Sequence, residues 1–395
     1  MSALATLLKG QGYEVQGSDR TLDTPNIRFL RSLGVECFPD DGVGIDGSVG
    51  ELAVSTAIEE TNPCLARARA LGIPVIHRAK ALAKALSGRR LVAVAGTCGK
   101  STVTAMLGHV LAECGLDPLC VDGANVSGWT GAVRFGSGPY AVAEVDESDK
   151  SLVAFEPYAA VITNSSADHY SKEEMDRVFD AFVARAAGPV VDGRRGVRVP
   201  EGLACPMPGR HNLENAALAV AAAVSLGCSP EKAAAAIASF PGVERRLQRL
   251  TPLGAAPAVY DDYAHNPEKL KALWRTLAEE HPRGVCVLWR PHGYAPLRKT
   301  LDALAAVFAE CIRPCDALLL LPVYDAGGTA DRTVNSGDLA ALLPQGTARL
   351  FPDAESALAW MSANLAHYAA FAVCGARDPA LPSVARRLAA ATAPS

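Results

Sequence analysis

At 395 residues the chain is too long for one ordinary hydrophobic core and implies two or three domains. Hydrophobic residues make up 49% and charged residues 20%, a composition that folds and excludes a disordered chain. The formal net charge of −4 comes without any long basic run, which argues against nucleic acid and anionic membrane surfaces as partners. The longest small-apolar stretch, 216–224, falls far short of the roughly 20 residues a membrane span needs. The start has no basic segment and no cleavage pattern, so it does not read as a signal peptide. Eleven cysteines are scattered without paired C-x-x-C units, and Cys311 and Cys315 find no second pair or His to complete a zinc set. Such usage suits a reducing compartment, and a cytoplasmic location is expected.

In chain order, the first segment (1–88) opens with a helical pattern over 3–9 and then a strand over 13–19 that ends at Ser18-Asp19. A strand over 52–55, a helix over 63–71 and a strand over 74–77 follow, and this alternation predicts a small parallel sheet. A unit of this kind ordinarily begins with a strand and a glycine-rich turn, whereas this sequence begins within the helix. A misplaced start, a trimmed chain and a domain without its phosphate loop are the three accounts that fit.

The second segment (89–240) begins with the apolar run 91–95, followed by Gly96-Thr97-Cys98-Gly99-Lys100-Ser101 and a helix to 114. Strands are expected over 141–145 and 159–163, and an alanine-rich helix over 212–227 closes at a glycine. The third segment (241–395) carries strands ending at 261, over 285–289, 317–321 and 370–374, with a helix over 267–280. The whole is α/β.

The glycine-rich turn is the strongest chemical signal. In strand, Gly-x-x-Gly-Lys-Ser, helix, the glycines let backbone amides turn onto phosphate oxygens, Lys100 supplies a charge and the Ser101 hydroxyl can bind magnesium. Next comes Glu144-Val145-Asp146-Glu147-Ser148-Asp149 directly after a strand, where an α/β sheet places metal ligands. Alone, such a run is ordinarily a solvated loop; beside a phosphate loop it points to a metal. Thr163-Asn164 followed by Asp168-His169 also lies beyond a strand end, and a lone histidine there is weak evidence.

Together these motifs resemble the Mur ligases, most closely their alanine-adding and muropeptide-ligase members. The resemblance also rests on Pro208-Gly209-Arg210-His211-Asn212-Leu213-Glu214-Asn215-Ala216, on Gly242-Val243-Glu244-Arg245-Arg246 and on Asp261-Asp262-Tyr263-Ala264-His265-Asn266-Pro267. It runs over nearly the whole chain, in the family's order. It implies three domains: a Rossmann-like UDP-sugar domain, truncated here, a central P-loop ATPase domain and a Rossmann-like amino-acid domain. The implied reaction is ATP-dependent amide formation through an acyl phosphate, between a UDP-N-acetylmuramate-type carboxylate and an amino acid, L-alanine by the nearest members, in peptidoglycan precursor synthesis. The implied small molecules are ATP, Mg2+, a UDP-sugar carboxylate and an amino acid, and the implied state is a monomer or homodimer.

Residue by residue, the resemblance gives Gly96, Thr97, Gly99, Lys100, Ser101 and Thr102 to the phosphates. Ser101, Glu144 and His169 would hold magnesium. Asn212 and Asn215, three apart on one helix face, would lie near adenine. Arg246 would reach the phosphates and Asp262 the ribose, so that ATP binding would depend on domain closure. Read singly, Arg246 is a surface arginine and Asp262 a helix cap before Pro267. Ser18, Asp19 and Ser55 match nucleotide-sugar contacts, and Tyr263, His265 and His292 match positions near the amino acid.

The sequence also departs from the family. The segment between His169 and Pro208 is short, so a small extra sheet is expected to be trimmed. Cys98 and Asn266 stand where histidine is common. In Arg290-Pro291-His292-Gly293-Tyr294-Ala295-Pro296-Leu297-Arg298, Gly293 and Pro296 occupy two positions that are arginine in the alanine-adding enzymes, a pair that the resemblance implies captures the amino acid's carboxylate in bidentate fashion. Each charge-assisted hydrogen bond lost there would cost about 1.5–3 kcal/mol. Arg290 or Arg298 could compensate; otherwise the acceptor is held differently. The competing readings are a related ligase acting on another carboxylate or amine, a non-catalytic ATP-binding paralogue, and a P-loop hydrolase. Retention of Lys100, Ser101, Glu144 and His169 speaks against the paralogue, and Asn212, Asn215, Arg246 and Asp262 speak against the hydrolase.

Overall fold

A computed structural model describes residues 1–147, 151–165, 172–325 and 331–392. Two compact units form, one from 1–206 with 212–243 and one from 207–211 with 244–395.

The first unit begins with α1 (Ser2–Gly10), β1 (Gln16–Asp19), α2 (Pro25–Ser32) and β2 (Glu36–Pro39), and continues with β3 (Leu52–Val54), α3 (Pro63–Ala70), β4 (Val75–His77) and α4 (Arg78–Leu86). β1 pairs with β2 and β3 with β4, both parallel, as two separate two-stranded sheets. Helix starts are set by side chains. Thr24 caps α2 and Asn62 caps α3, each followed at once by a proline, whose fixed φ and missing N–H suit the first helical turn.

The same unit then builds a six-stranded sheet from β5 (Arg90–Ala95), β6 (Leu119–Val121), β7 (Val133–Arg134), β8 (Tyr140–Glu144), β9 (Ala159–Ile162) and β10 (Val190–Asp192). Its order is β10-β9-β5-β8-β6-β7, parallel except for β7. Five of the six β5 residues are buried, which explains the unbroken apolar run: a central parallel strand is covered on both faces. The helices are α5 (Lys100–Glu113), α6 (Lys172–Val183), α7 (Arg210–Ser225) and α8 (Pro230–Ile237). Alanines at 216, 217, 219, 222 and 223 bury along α7, small side chains that cost little rotamer entropy.

The second unit carries β11 (Gln248–Arg249), β12 (Ala258–Asp262), α9 (Pro267–Glu280), β13 (Val285–Trp289), α10 (Tyr294–Cys311), β14 (Ala317–Leu320), α11 (Ser336–Ala341), β15 (Ala348–Leu350), α12 (Ala354–Ala363), β16 (Ala370–Cys374) and α13 (Leu381–Ala391). Its sheet order is β11-β12-β16-β13-β14-β15, with only β11 antiparallel. Trp274 and Trp289 each meet Phe308 edge-on, at centroid distances of 6.1 and 5.8 Å, geometry worth about 0.5–1.5 kcal/mol per pair beyond area burial. No helix among the described residues is long and apolar enough to cross a membrane.

Three of the expected assignments are corrected. The strand expected from 13 begins at Gln16, and its four residues are all exposed, so no buried alternation marks its start. The helix expected over 212–227 spans Arg210–Ser225. Further, the cap of α9 is Asn266, whose side chain accepts from Lys269 N at 3.0 Å, and not Asp262.

Candidate active site

In both large sheets, three neighbouring parallel strands end at one level, and the predicted residues sit on the loops that follow. In the first unit β5 lies between β8 and β9, with Val94 opposite Glu144 and Ala95 opposite Ile162. The glycine turn after β5 is therefore flanked by 144–147 on one side and by Thr163-Asn164 on the other. Carboxyl ends of strands in open α/β sheets are where ligands bind.

The turn depends on its glycines. Gly96 has φ 132° and Gly99 φ 82°. A Cβ on Gly96 would lie 2.1 Å from Thr163 Oγ1, and one on Gly99 would lie 2.6 Å from Asn215 Oδ1. Both the conformation and the space require glycine. Asn164, part of a motif in the sequence but given no role of its own there, braces the turn. Its Oδ1 accepts from Thr97 Oγ1 at 2.7 Å and from Cys98 N at 3.0 Å, and its Nδ2 donates to Cys98 O at 2.9 Å. Thr163 Oγ1 also donates to Cys98 O, at 2.6 Å. Thr97, Ser101 and Thr102 are buried at this end of α5.

Lys100 Nζ donates to Gly96 O at 2.7 Å and pairs with Glu147 at 2.9–3.0 Å. Burial works to lower this ammonium, but Glu147, Glu144 and Asp146 outweigh it and hold it above its ordinary value. Burial likewise pushes the Glu147 carboxyl up, against the pull of Lys100. Sequence spacing did not distinguish Glu147 from the other acids of its run; the signal is geometric. Glu144 Oε2 accepts from Gly123 N at 2.9 Å, and a Cβ on Gly123 would meet that carboxylate at 2.6 Å. Asp146 pairs with Arg78 at 2.8 Å. Asn212 and Asn215 are both buried on α7, with Asn215 Nδ2 3.5 Å from Asn212 Oδ1, and Asn215 abuts Gly99.

The glycine turn, Lys100, Glu144 and the two asparagines are thus brought together within this unit. A Cβ-free cradle, a partly buried ammonium and hard carboxylate oxygens fit a magnesium–nucleotide triphosphate. Asp168, His169, Ser148 and Asp149 lie outside the described residues. No group of three or more metal-binding side chains occurs among the described residues. Ser18 and Asp19 lie at the exposed end of β1, with Ser18 Oγ 3.2 Å from Cys64 Sγ and Asp19 Oδ1 accepting from Thr21 N at 2.9 Å. Ser55 follows β3, so these three candidates sit at the ends of two different small sheets.

In the second unit β16 lies between β12 and β13, with Cys374 opposite both Asp262 and Trp289. Asp262 accepts from Leu247 N at 2.5 Å and Ala264 N at 2.7 Å. Burial pushes its carboxyl up, while these amides and Arg246 pull it down. The Arg246 guanidinium lies 5.3 Å from the Tyr263 ring centre. Tyr263 meets His265 edge-on at 5.4 Å, and His265 meets His292 edge-on at 4.8 Å. Burial, with Arg377 and Lys269 nearby, holds His292 below the ordinary histidine value. Arg246, Tyr263, His265 and His292 therefore form one contiguous array. Arg245, beside it, is structural: it binds Asp261 at 3.3 Å and the carbonyl oxygens of Gly375 and Ala376.

Known proteins resemble this chain over most of its length. The Mur ligase family, catalytic domain, matches residues 1–90, and the Mur ligase, glutamate ligase domain, matches residues 245–377. UDP-N-acetylmuramate–L-alanine ligase from Rhizobium etli is 32% identical, covering 88% of this chain and 84% of that protein. The enzyme of the same name from Kineococcus radiotolerans is 35% identical, covering 92% and 88%. Among solved structures, the UDP-N-acetylmuramate–alanine ligase of Thermotoga maritima superposes with a TM-score of 0.81 at 24% identity, covering 98% of this chain and 95% of that one.

Proposed function

The chain belongs to the Mur ligase family, and from that premise we propose that it joins the carboxylate of UDP-N-acetylmuramate to L-alanine, using ATP, in peptidoglycan precursor synthesis. The observation that carries this reading is the convergence of the glycine turn, Lys100, Glu144, Glu147 and Asn164 on three adjacent strand ends. A carboxylate oxygen of the sugar substrate attacks the γ-phosphorus of ATP and ADP departs, leaving an acyl phosphate. The amine of the amino acid attacks its carbonyl carbon, and the tetrahedral intermediate collapses with loss of phosphate. Such chemistry needs positioning and charge neutralisation more than proton transfer.

The amides of Gly96, Thr97 and Gly99, with Thr102, hold the phosphates, and Lys100 bridges the β- and γ-groups. To do so Lys100 exchanges its contact with Glu147 for phosphate oxygens, so the partly buried ammonium stays paired in both states. Ser101, Glu144 and His169 hold magnesium, which when bound neutralises phosphate charge. Asn212 and Asn215 face adenine, Arg246 the phosphates and Asp262 the ribose. Ser18, Asp19 and Ser55 contact the UDP-sugar, and Tyr263, His265 and His292 the amino acid. Segments 1–88, 89–240 and 241–395 then serve the sugar nucleotide, ATP and the amino acid in turn. The enzyme works in the cytoplasm as a monomer or homodimer.

The test is phosphate release with magnesium-ATP, UDP-N-acetylmuramate and a panel of amino acids and amines. Release should require both the sugar nucleotide and L-alanine. Release that ignores the amino acid, or follows a different amine, contradicts the assignment. Lys100→Ala should lower kcat by at least about 100-fold; a near-normal rate would mean that the glycine turn does not hold the reacting phosphates.

A further inference from the structure

On the reading just proposed, the second half-reaction needs a group that grips the carboxylate of the incoming amino acid. The two arginine positions that the resemblance assigns to this task are Gly293 and Pro296 here. The nearby arginines at 290 and 298 are committed elsewhere. Arg290 Nη1 donates to the buried Asp378 at 2.5 Å and its Nε to Pro322 O at 3.0 Å. Arg298 binds Asp331 and Thr333 at 2.9 Å.

Arg377 is differently placed. It lies on the loop after β16, between the loops that follow β12 and β13, so the sheet order delivers it to the Tyr263–His265–His292 array. A Cβ at Gly293 would lie 3.9 Å from Arg377 Nη1, so its guanidinium occupies the space beside the residue that lacks a side chain. The side chain is exposed and makes no hydrogen bond or ion pair among the described residues. A planar guanidinium with unused donors, near the His292 imidazole that meets His265 edge-on in this array, matches the two oxygens of a carboxylate.

We propose that Arg377 is the residue that captures the α-carboxylate of the amino-acid substrate, doing from the β16 loop what an arginine at position 293 would do. The site is thus rebuilt by exchange: the arginine comes from a neighbouring strand end, and Gly293 gives it room. Selection for a free carboxylate follows, and amines lacking one are poor acceptors.

Steady-state kinetics tests this, with wild type assayed first on L-alanine and L-alaninamide. Arg377→Ala should raise the KM for L-alanine on the order of 100-fold, leave the KM values for ATP and the sugar nucleotide within about twofold, and abolish the preference for alanine over its amide. Arg377→Lys should recover part of the loss. Position 293 has φ 161° and nothing closer than 3.5 Å to a Cβ, so Gly293→Arg combined with Arg377→Gly should bind alanine better than Arg377→Gly alone. An active wild type whose Arg377→Ala variant keeps both its KM for alanine and its preference overturns this proposal alone. A wild type that shows no amino-acid-dependent release overturns the parent reading and this one with it.

Discussion

Asp261 and Asp262 are adjacent in sequence and face different surroundings. Burial pushes Asp261 up to about 6 from its ordinary 3.8, with Arg245 opposing. The folded chain therefore holds this proton to higher pH than the unfolded chain does. Stability from this group is greatest below about pH 4, declines as pH rises through about 6, and is flat above. Asp261→Asn removes that decline, so the variant should gain on wild type between pH 4.5 and 7, by up to about 3 kcal/mol. Urea unfolding followed by tryptophan fluorescence measures it, since Trp274, Trp289 and Trp360 all lie in this unit. An equal pH dependence for both proteins would mean that Asp261 is ionised without penalty. At this scale, sequence spacing was enough to place Gly96 and Gly99, because the turn's conformation and its space both require glycine, and it named Lys100, which the structure sets beside Glu147. It could not single out Glu147, because four acids in six residues look alike until β8 and its loop decide which one points at Lys100.

At the scale of elements, the glycine turn is a joint between three strands. Thr97 and Cys98 take their positions from Asn164 on the neighbouring loop. Asn164→Ala removes three hydrogen bonds to the turn and leaves its amides poorly aimed. The KM for ATP should rise about 10- to 100-fold, with the KM for L-alanine nearly unchanged. Isothermal titration with a non-hydrolysable ATP analogue would check the binding part directly, and undiminished affinity would show that the turn holds its shape unaided. Buried strands were the legible elements: β5, β8, β13 and β16 are continuous apolar runs because both faces are covered. β7 has only two residues, too little pattern to place from sequence, and β1 is four exposed residues, so its end was legible but its start was not. α10 runs for 18 residues from Tyr294, and the glycine before it and the proline in its first turn look in sequence like a loop. Proline is tolerated there because a helix's first turn has no internal partner for its amides.

For the whole molecule, the order of motifs told more than any single motif. Each quoted motif except the 208–216 stretch follows a strand or precedes one, so the sequence lists the loops of two sheets in turn. The 208–216 stretch itself is divided, with 207–211 in the second unit and the chain from 212 in the first, a feature no periodicity could reveal. Nor could spacing show that Arg377 stands beside Gly293, 84 positions away in the chain, because only the strand order brings them together. The central claim at this scale is that ATP is used to activate a carboxylate, not merely hydrolysed. Turnover of UDP-N-acetylmuramate labelled with 18O in its lactyl carboxylate tests it most directly, with mass analysis of the released phosphate. The acyl phosphate route predicts one labelled oxygen in each phosphate and one retained in the amide product. Unlabelled phosphate, released at the full rate, would contradict it.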